Sequence, residues 1–207
     1  MDGSIDIGLV PVAIIPYLRD WYINTDYCIG ADGAVASVCI FSDVPLEQTE
    51  SVLLDYQSRT SVQLATLLLK EFYKVQAIPV AAQPGYQELI KGKTAGLVIG
   101  DRALAQRRKS KYIYDLGEAW KQHTGLPFVF AAWISTKELD PGFIRRFNDA
   151  NMEGLHHIDE VVSMAYYKEF DLHEYYTRYI KYDLTNERRA ALDLFLSKIS
   201  PAIPIAK

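Results

Sequence analysis

The sequence predicts an α/β protein. Three observations carry this. Strand-like and helix-like segments alternate through the first two thirds of the 207 residues. Several of the strand-like segments are continuously apolar, as strands buried in a parallel sheet are. From Pro141 onward the pattern is helical to the end.

Ile5 to Val12 alternates and then turns fully apolar. It reads as a strand ending at Pro11 and buried in a mostly parallel sheet. Such an opening is unusual, because strands at chain ends are usually more polar. Tyr27 to Ala31 and Ala34 to Ser42 are strand-like, with Asp32-Gly33 as the turn signal between them. Val52 to Tyr56 is a short strand. A helix is predicted from Ser61 to Tyr73, with Val62, Ala65, Leu68, Leu69 and Phe72 on one face. Its start, Thr60-Ser61-Val62-Gln63, has the form of a capping box. Gln76 to Val80 is a strand, Pro84 to Lys91 a short helix, Ala95 to Gly100 a buried strand and Asp101 to Arg108 a helix. Asp115 caps the next helix, where Leu116, Ala119, Trp120 and His123 repeat at helical spacing and Gly125 and Pro127 end the run. Phe128 to Ser135 is a strongly apolar strand. In the last helix Leu192, Phe195, Leu196 and Ile199 lie on one stripe, and Pro201 closes it.

Composition narrows the function. Hydrophobic residues make up 49% and charged residues 23% of the chain, and the formal net charge is -4. A nucleic-acid partner is not expected, since such proteins carry a basic surplus. The one dense basic run, Arg107-Arg108-Lys109-Ser110-Lys111, reads as a solvated loop after a short helix. Cys28 and Cys39 lie in apolar surroundings and read as buried reduced thiols. His156 and His157 are adjacent, so on a helix they diverge by about 100° and do not share a metal simply; no zinc-ligand spacing occurs. No apolar run approaches the roughly 18 residues that span a bilayer, and Met1-Asp2-Gly3-Ser4 is not the start of a secretory signal. The expectation is a cytoplasmic protein with no metal, no membrane partner and an open oligomeric state.

The segment Asp115-Leu116-Gly117-Glu118-Ala119-Trp120, followed by Thr124-Gly125-Leu126-Pro127-Phe128-Val129-Phe130-Ala131-Ala132-Trp133, resembles the signature of the chorismate dehydratase family of the futalosine menaquinone-biosynthesis pathway. Asp6 to Pro11, Val35 to Ser42, Ser58 to Val62 and Ile99 to Leu104 agree with that family in order. A sister family, 1,4-dihydroxy-6-naphthoate synthase, continues its Thr-Gly-Leu-Pro with a smaller, glycine-containing strand. Phe128 to Trp133 therefore favours the dehydratase.

The resemblance implies a two-lobed fold of the type-2 periplasmic-binding-protein kind, with the ligand in a cleft between lobes. It implies crossings at Ser37 to Ser42 and Phe128 to Trp133, one lobe from 1–45 and 127–207, and an inserted lobe from 46–126. Family members carry a strand and a helix ahead of the Asp6 to Pro11 strand, a unit of about 30 residues. The resemblance thus implies that the first lobe is N-terminally truncated, lacking an Asn-bearing loop that lines the family's cleft.

It also implies the chemistry. Chorismate carries two carboxylates, an enolpyruvyl ether and a ring hydroxyl, and loss of water gives 3-[(1-carboxyvinyl)oxy]benzoate. Aromatisation drives the step, so positioning, a base and help for the leaving hydroxyl suffice, and no cofactor is expected. A dianion is compensated at a helix N-terminus, which points to Thr60 and Ser61; Thr60 is equally explained as a cap. Ser37, ahead of a crossing strand, is a third candidate binding residue, or a small strand residue facing solvent. Asp101 follows a buried strand end, where α/β clefts form; it is the candidate base, or the N-cap of its own helix. His123, His156, His157 and His173 all fall in helices, and no Glu stands out, which points to the substrate's own enolpyruvyl carboxylate as the acceptor of the ring proton. A small-anion binding protein without catalysis, the sister synthase and an inactive remnant remain as alternatives, since fold does not decide function.

Overall fold

The computed structural model describes residues 5–199. The first apolar run forms β1 (Gly8–Pro11), followed by a 3-10 turn, Val12–Tyr17, whose Val12, Ala13 and Ile15 are buried. Next come β2 (Tyr22–Ala31), β3 (Val38–Ser42), β4 (Ser51–Leu54) and α1 (Arg59–Glu71). The chain continues through β5 (Ile78–Ala81), β6 (Thr94–Ile99), α2 (Asp101–Gln106), β7 (Tyr112–Asp115), α3 (Leu116–Thr124) and β8 (Phe128–Ser135). It ends with α4 (Pro141–His156), α5 (Ile158–Met164), α6 (Leu172–Glu174), a π-helical stretch Tyr175–Tyr179, β9 (Lys181–Asp183) and α7 (Asn186–Ile199). Pro201, expected to close the last helix, lies outside the described residues.

These elements build two sheets and two lobes. The first sheet has the order β1-β8-β2-β9 and is antiparallel throughout. The second has the order β5-β4-β6-β3-β7; β4 runs parallel to β5 and β6, while β3 is antiparallel to β6 and β7. Local signals account for several elements. Asp115 caps α3 by accepting from the Gly117 and Glu118 N–H groups, and Gly125, at φ 75°, ends it in the left-handed region. Asp140 caps α4, with Pro141 in the first turn where its missing N–H costs nothing.

Five expectations change. β1 is not a buried parallel strand but an edge strand antiparallel to β8, so its residues alternate in exposure and Leu9 is 40% exposed. Asp32-Gly33 does not make a hairpin, because β2 and β3 join different sheets. The crossings are therefore the segments 32–37 and 125–127. β3 belongs wholly to the second sheet and β8 wholly to the first, so residues 38–42 do not go with the 1–45 segment. β7 and β9 interrupt stretches read as loop and helix; both are short edge strands with weak patterns of their own. The helix expected at Ser61 begins at Arg59, and its cap is Ser58, whose hydroxyl accepts from the Ser61 N–H at 3.0 Å.

One apolar core runs through both sheets. Leu64 and Leu68 of α1, Trp120 of α3, Phe128 of β8 and Phe195 of α7 are wholly buried in it. A smaller cluster, with Phe41, Val98 and Tyr86, lies on the far face of the second sheet. Cys28 and Cys39 are buried and free; burial pushes the Cys28 thiol up to about 12. The basic run is not simply solvated: Arg107 donates to the Ala36 carbonyl at 3.1 Å, and Arg108 to the Lys168 carbonyl at 2.7 Å. Among the described residues no helix is long and apolar enough to cross a membrane.

Candidate active site between the lobes

A cavity of about 240 Å³ opens between the two sheets, beside the first crossing segment. Pro11, Ile29, Phe130 and Ala131 form its wall on the side of the first sheet. Val38, Ile99 and Gly100 face it from the second, and Ser58, Thr60 and Ser61 from the start of α1. Val35, Ser37, Gln57, Tyr175 and Ile180 complete the lining.

The candidate residues Ser37, Thr60 and Ser61 are thus brought together. Ser37 leaves the crossing segment with its carbonyl accepting from the Gly100 N–H at 2.8 Å, and its hydroxyl stands 2.8 Å from the Tyr175 hydroxyl. It is 4% exposed, which rules out the solvent-facing reading. Thr60 is not the cap: its hydroxyl accepts from the Ala13 N–H at 3.2 Å and fastens α1 to the turn after β1. Its own O–H proton is left for another acceptor. Ser61 is 3% exposed, and among the described residues its hydroxyl has no hydrogen-bond partner. Ser58 takes one N–H of the first turn, and the positive end of a 13-residue helix points at the cavity.

Asp101 does not join them. The cap position of α2 is Gly100, at φ 63°, and Asp101 is the first helical residue, exposed and outside the cavity lining. The positive φ at Gly100 turns the chain one residue earlier than an Asp cap would. The Asp101 carbonyl accepts from the Tyr167 hydroxyl at 2.8 Å. His123 is half-buried against Phe72, with its Nε2 3.4 Å from Glu71. His157 is exposed between Glu153 and Glu160. Among the described residues no cluster of His, Cys, Asp and Glu could hold a metal ion.

Residues far from the motifs shape the cavity. Ala36 sits at φ 62°, a backbone state that costs an L-residue with a Cβ about 1 kcal/mol or more. Its N–H donates to Asp115 at 2.7 Å and its carbonyl accepts from Arg107. Asp115 also accepts from the Val35 N–H, so the cap of α3 clamps the crossing segment ahead of Ser37. Gly117 is required at this joint, because a Cβ there would meet the Gly33 carbonyl at 2.5 Å. Ahead of α1, the Asp55 side chain is fully buried and accepts from Arg102 at 2.8 Å, from the Tyr86 hydroxyl at 2.7 Å and from the Gln57 N–H at 2.7 Å. That network holds the loop leading into Ser58.

Over residues 1–201 the chain matches the model of a family described as menaquinone biosynthesis. It is 30% identical over 92% of its length to a chorismate dehydratase of Thermus thermophilus, spanning 79% of that protein. It is 27% identical over 72% of its length to a 1,4-dihydroxy-6-naphtoate synthase of Streptomyces coelicolor, spanning 55% of that protein. A solved structure from Archaeoglobus fulgidus superposes with a TM-score of 0.72 at 15% identity, covering 96% of this chain and 79% of that one. An ABC transporter structure from Parabacteroides distasonis superposes at 0.60 and 15% identity, covering 97% and 76%. These two show the two-lobed, binding-protein-like fold.

Proposed function

The chain belongs to the menaquinone biosynthesis family, and on that premise we propose that it is a lyase removing water from chorismate to give 3-[(1-carboxyvinyl)oxy]benzoate. The observation that carries the reading is the interlobe cavity, where Ser37, Thr60 and Ser61 meet at the N-terminus of α1. The likeness to the dehydratase extends over more of the chain than the likeness to the synthase. Phe130 and Ala131, from the segment that distinguishes the two resemblances, form part of the cavity wall. A biosynthetic lyase of this kind works in the cytoplasm.

The chemistry follows from the lining. A dianionic substrate places a carboxylate at the first turn of α1, where the helix dipole and the Thr60 and Ser61 hydroxyls offset charge. The apolar walls hold the ring and exclude water, which strengthens these contacts. Removal of the ring proton and departure of the hydroxyl as water leave an aromatic ring, so the protein supplies geometry rather than an oxidant or reductant. The substrate's enolpyruvyl carboxylate is the proton acceptor in this reading, and the exposed Asp101 has no part in proton transfer.

The purified protein is expected to convert chorismate to the aromatic enol ether in the presence of EDTA, followed by the product's ultraviolet absorbance and by mass. A strict need for added metal, or no aromatic product, defeats the proposal. Ser61→Ala removes one hydroxyl donor. A hydrogen bond to a charged group contributes ~1.5–3 kcal/mol, so KM for chorismate should rise roughly tenfold or more. The cap is Ser58, and the helix is secured by Leu64, Ala65 and Leu68 in the core, so the melting temperature should stay within about 2 °C. Unchanged KM in a folded Ser61→Ala protein removes the anion-site assignment.

A further inference from the structure

Tyr175 enters the cavity from a segment that no motif marked. It opens the π-helical stretch, closed by the Ile180 N–H donating to the Tyr175 carbonyl at 3.1 Å. Such wide turns swing a side chain away from the α-helical direction and are concentrated at functional sites. The Tyr175 hydroxyl reaches Ser37 across a separation of 138 residues in sequence. Its ring is held by edge contacts with Phe170 and Tyr176. Burial raises the phenol above its ordinary value, with the Ser37 hydrogen bond acting the other way, so the group is a neutral phenol at pH 7.

The segment carrying Tyr175 is tied to the opposite lobe at three further points. Tyr167 donates to the Asp101 carbonyl at 2.8 Å, and Arg108 donates to the Lys168 carbonyl at 2.7 Å and pairs with Glu169 at 3.1 Å. These contacts fix where the phenol stands relative to Ser37.

Two hydroxyls that bind one another use one proton and one lone pair between them. One O–H remains to donate, in a cavity that Ile99, Phe130 and Ile180 line together with the polar Gln57, Ser58, Thr60 and Ser61; among the described residues neither hydroxyl has another side-chain partner. A buried donor without an acceptor is costly, so this arrangement is built to meet an oxygen of the ligand. The ligand's anionic groups are matched by the α1 N-terminus. The Ser37–Tyr175 pair has no helix N-terminus behind it and suits a neutral oxygen instead.

We propose that the Ser37–Tyr175 pair is the hydrogen-bond donor that recognises the substrate's ring hydroxyl, the group lost as water, and so sets specificity for a hydroxylated ring. This rests on the reaction assigned above. It makes Tyr175 a substrate-contacting residue and gives Ser37 its partner.

Tyr175→Phe keeps the ring and deletes the hydroxyl. Turnover of chorismate is measured for the wild-type protein, Tyr175→Phe, Ser37→Ala and the double variant, with 4-deoxychorismate, which lacks the ring hydroxyl, as a competitive inhibitor. In the wild type the inhibition constant should exceed KM by roughly tenfold or more; in Tyr175→Phe the two should be alike. Values of kcat/KM should fall roughly ten- to hundredfold in each single variant, and the double variant should be little worse, because the two hydroxyls act as one unit. Retained discrimination in Tyr175→Phe overturns the inference. So does an equal loss of affinity for both ligands with a lowered melting temperature, which is what a merely structural hydroxyl would produce. A wild-type protein that neither binds nor converts chorismate brings down the reaction assignment and this inference together. A wild-type protein that converts chorismate, beside a Tyr175→Phe variant of unchanged discrimination, brings down this inference alone.

Discussion

Asp115→Ala is expected to lose ~3–5 kcal/mol of stability, because several buried N–H groups lose their acceptor at once, and about a hundredfold in kcat/KM. Asp115 is 8% exposed, and its carboxylate accepts from four backbone N–H groups: Val35, Ala36, Gly117 and Glu118. Truncation leaves those donors facing a small void, and each unsatisfied buried donor costs about 1–3 kcal/mol. In a protein of this size 1 kcal/mol shifts the melting temperature by about 2–4 °C, so a fall of roughly 10 °C should be seen by calorimetry. Activity suffers for a separate reason. Asp115 and Arg107 hold Ala36 in its left-handed backbone state, and Ala36 delivers Ser37 to the cavity. Released from the clamp, the segment relaxes, and a misplacement of about 1 Å at a site costs around a hundredfold. Asp115→Asn keeps one acceptor oxygen and should fall between. A fully folded Asp115→Ala protein with wild-type turnover would remove Asp115 from any part in shaping the cavity.

Trp120→Ala should be equally destabilising, at ~3–5 kcal/mol, but through packing. Trp120 is wholly buried and meets Phe128 at 5.2 Å and Phe195 at 6.0 Å between ring centres, both edge-on. Its indole N–H donates to the Pro127 carbonyl at 2.9 Å. One side chain therefore joins α3 to the second crossing segment, to the first sheet and to α7. Deleting it opens a cavity among residues that other contacts hold in place, and an apolar void of that kind does not close. Trp120→Phe should recover part of the loss. Trp21, 41% exposed, is the control: Trp21→Ala should change stability by under about 0.5 kcal/mol. Equal melting temperatures for the two alanine variants would show that the core does not run between the lobes as described.

The site was partly legible in the chain. Thr60 and Ser61, which line the cavity, are legible as a helix start, which is written locally in small hydroxyl residues ahead of an apolar stripe. The same signal misassigned the cap by two residues: Ser58, Thr60 and Ser61 can each accept from an N–H, and only the turn geometry selects Ser58. Asp101 follows a strand as a cap would, but Gly100 holds the cap position. Tyr175 carries no local mark, because the contact that places its hydroxyl in the cavity is with a partner 138 residues away. Asp115 was read as a cap, which it is; its second duty, toward Val35 and Ala36, joins residues about 80 apart and leaves no trace in spacing.

By itself the sequence determined the α/β class, the helices α1, α3 and α7 with their buried stripes, the apolar strand β8 and the resemblance to a family. Periodicity, caps and helix-ending glycines act within a few residues of one another, so they can be read along the chain. The tertiary structure alone decided which sheet each strand enters, that β1 lies at an edge, and that β7 and β9 exist as strands at all. A short strand is stable only through the neighbour it pairs with, and that neighbour is distant in sequence. The same holds for the cavity. Its serines come from two elements and its tyrosine from a third, and only the packing of one lobe against the other brings their hydroxyls within reach.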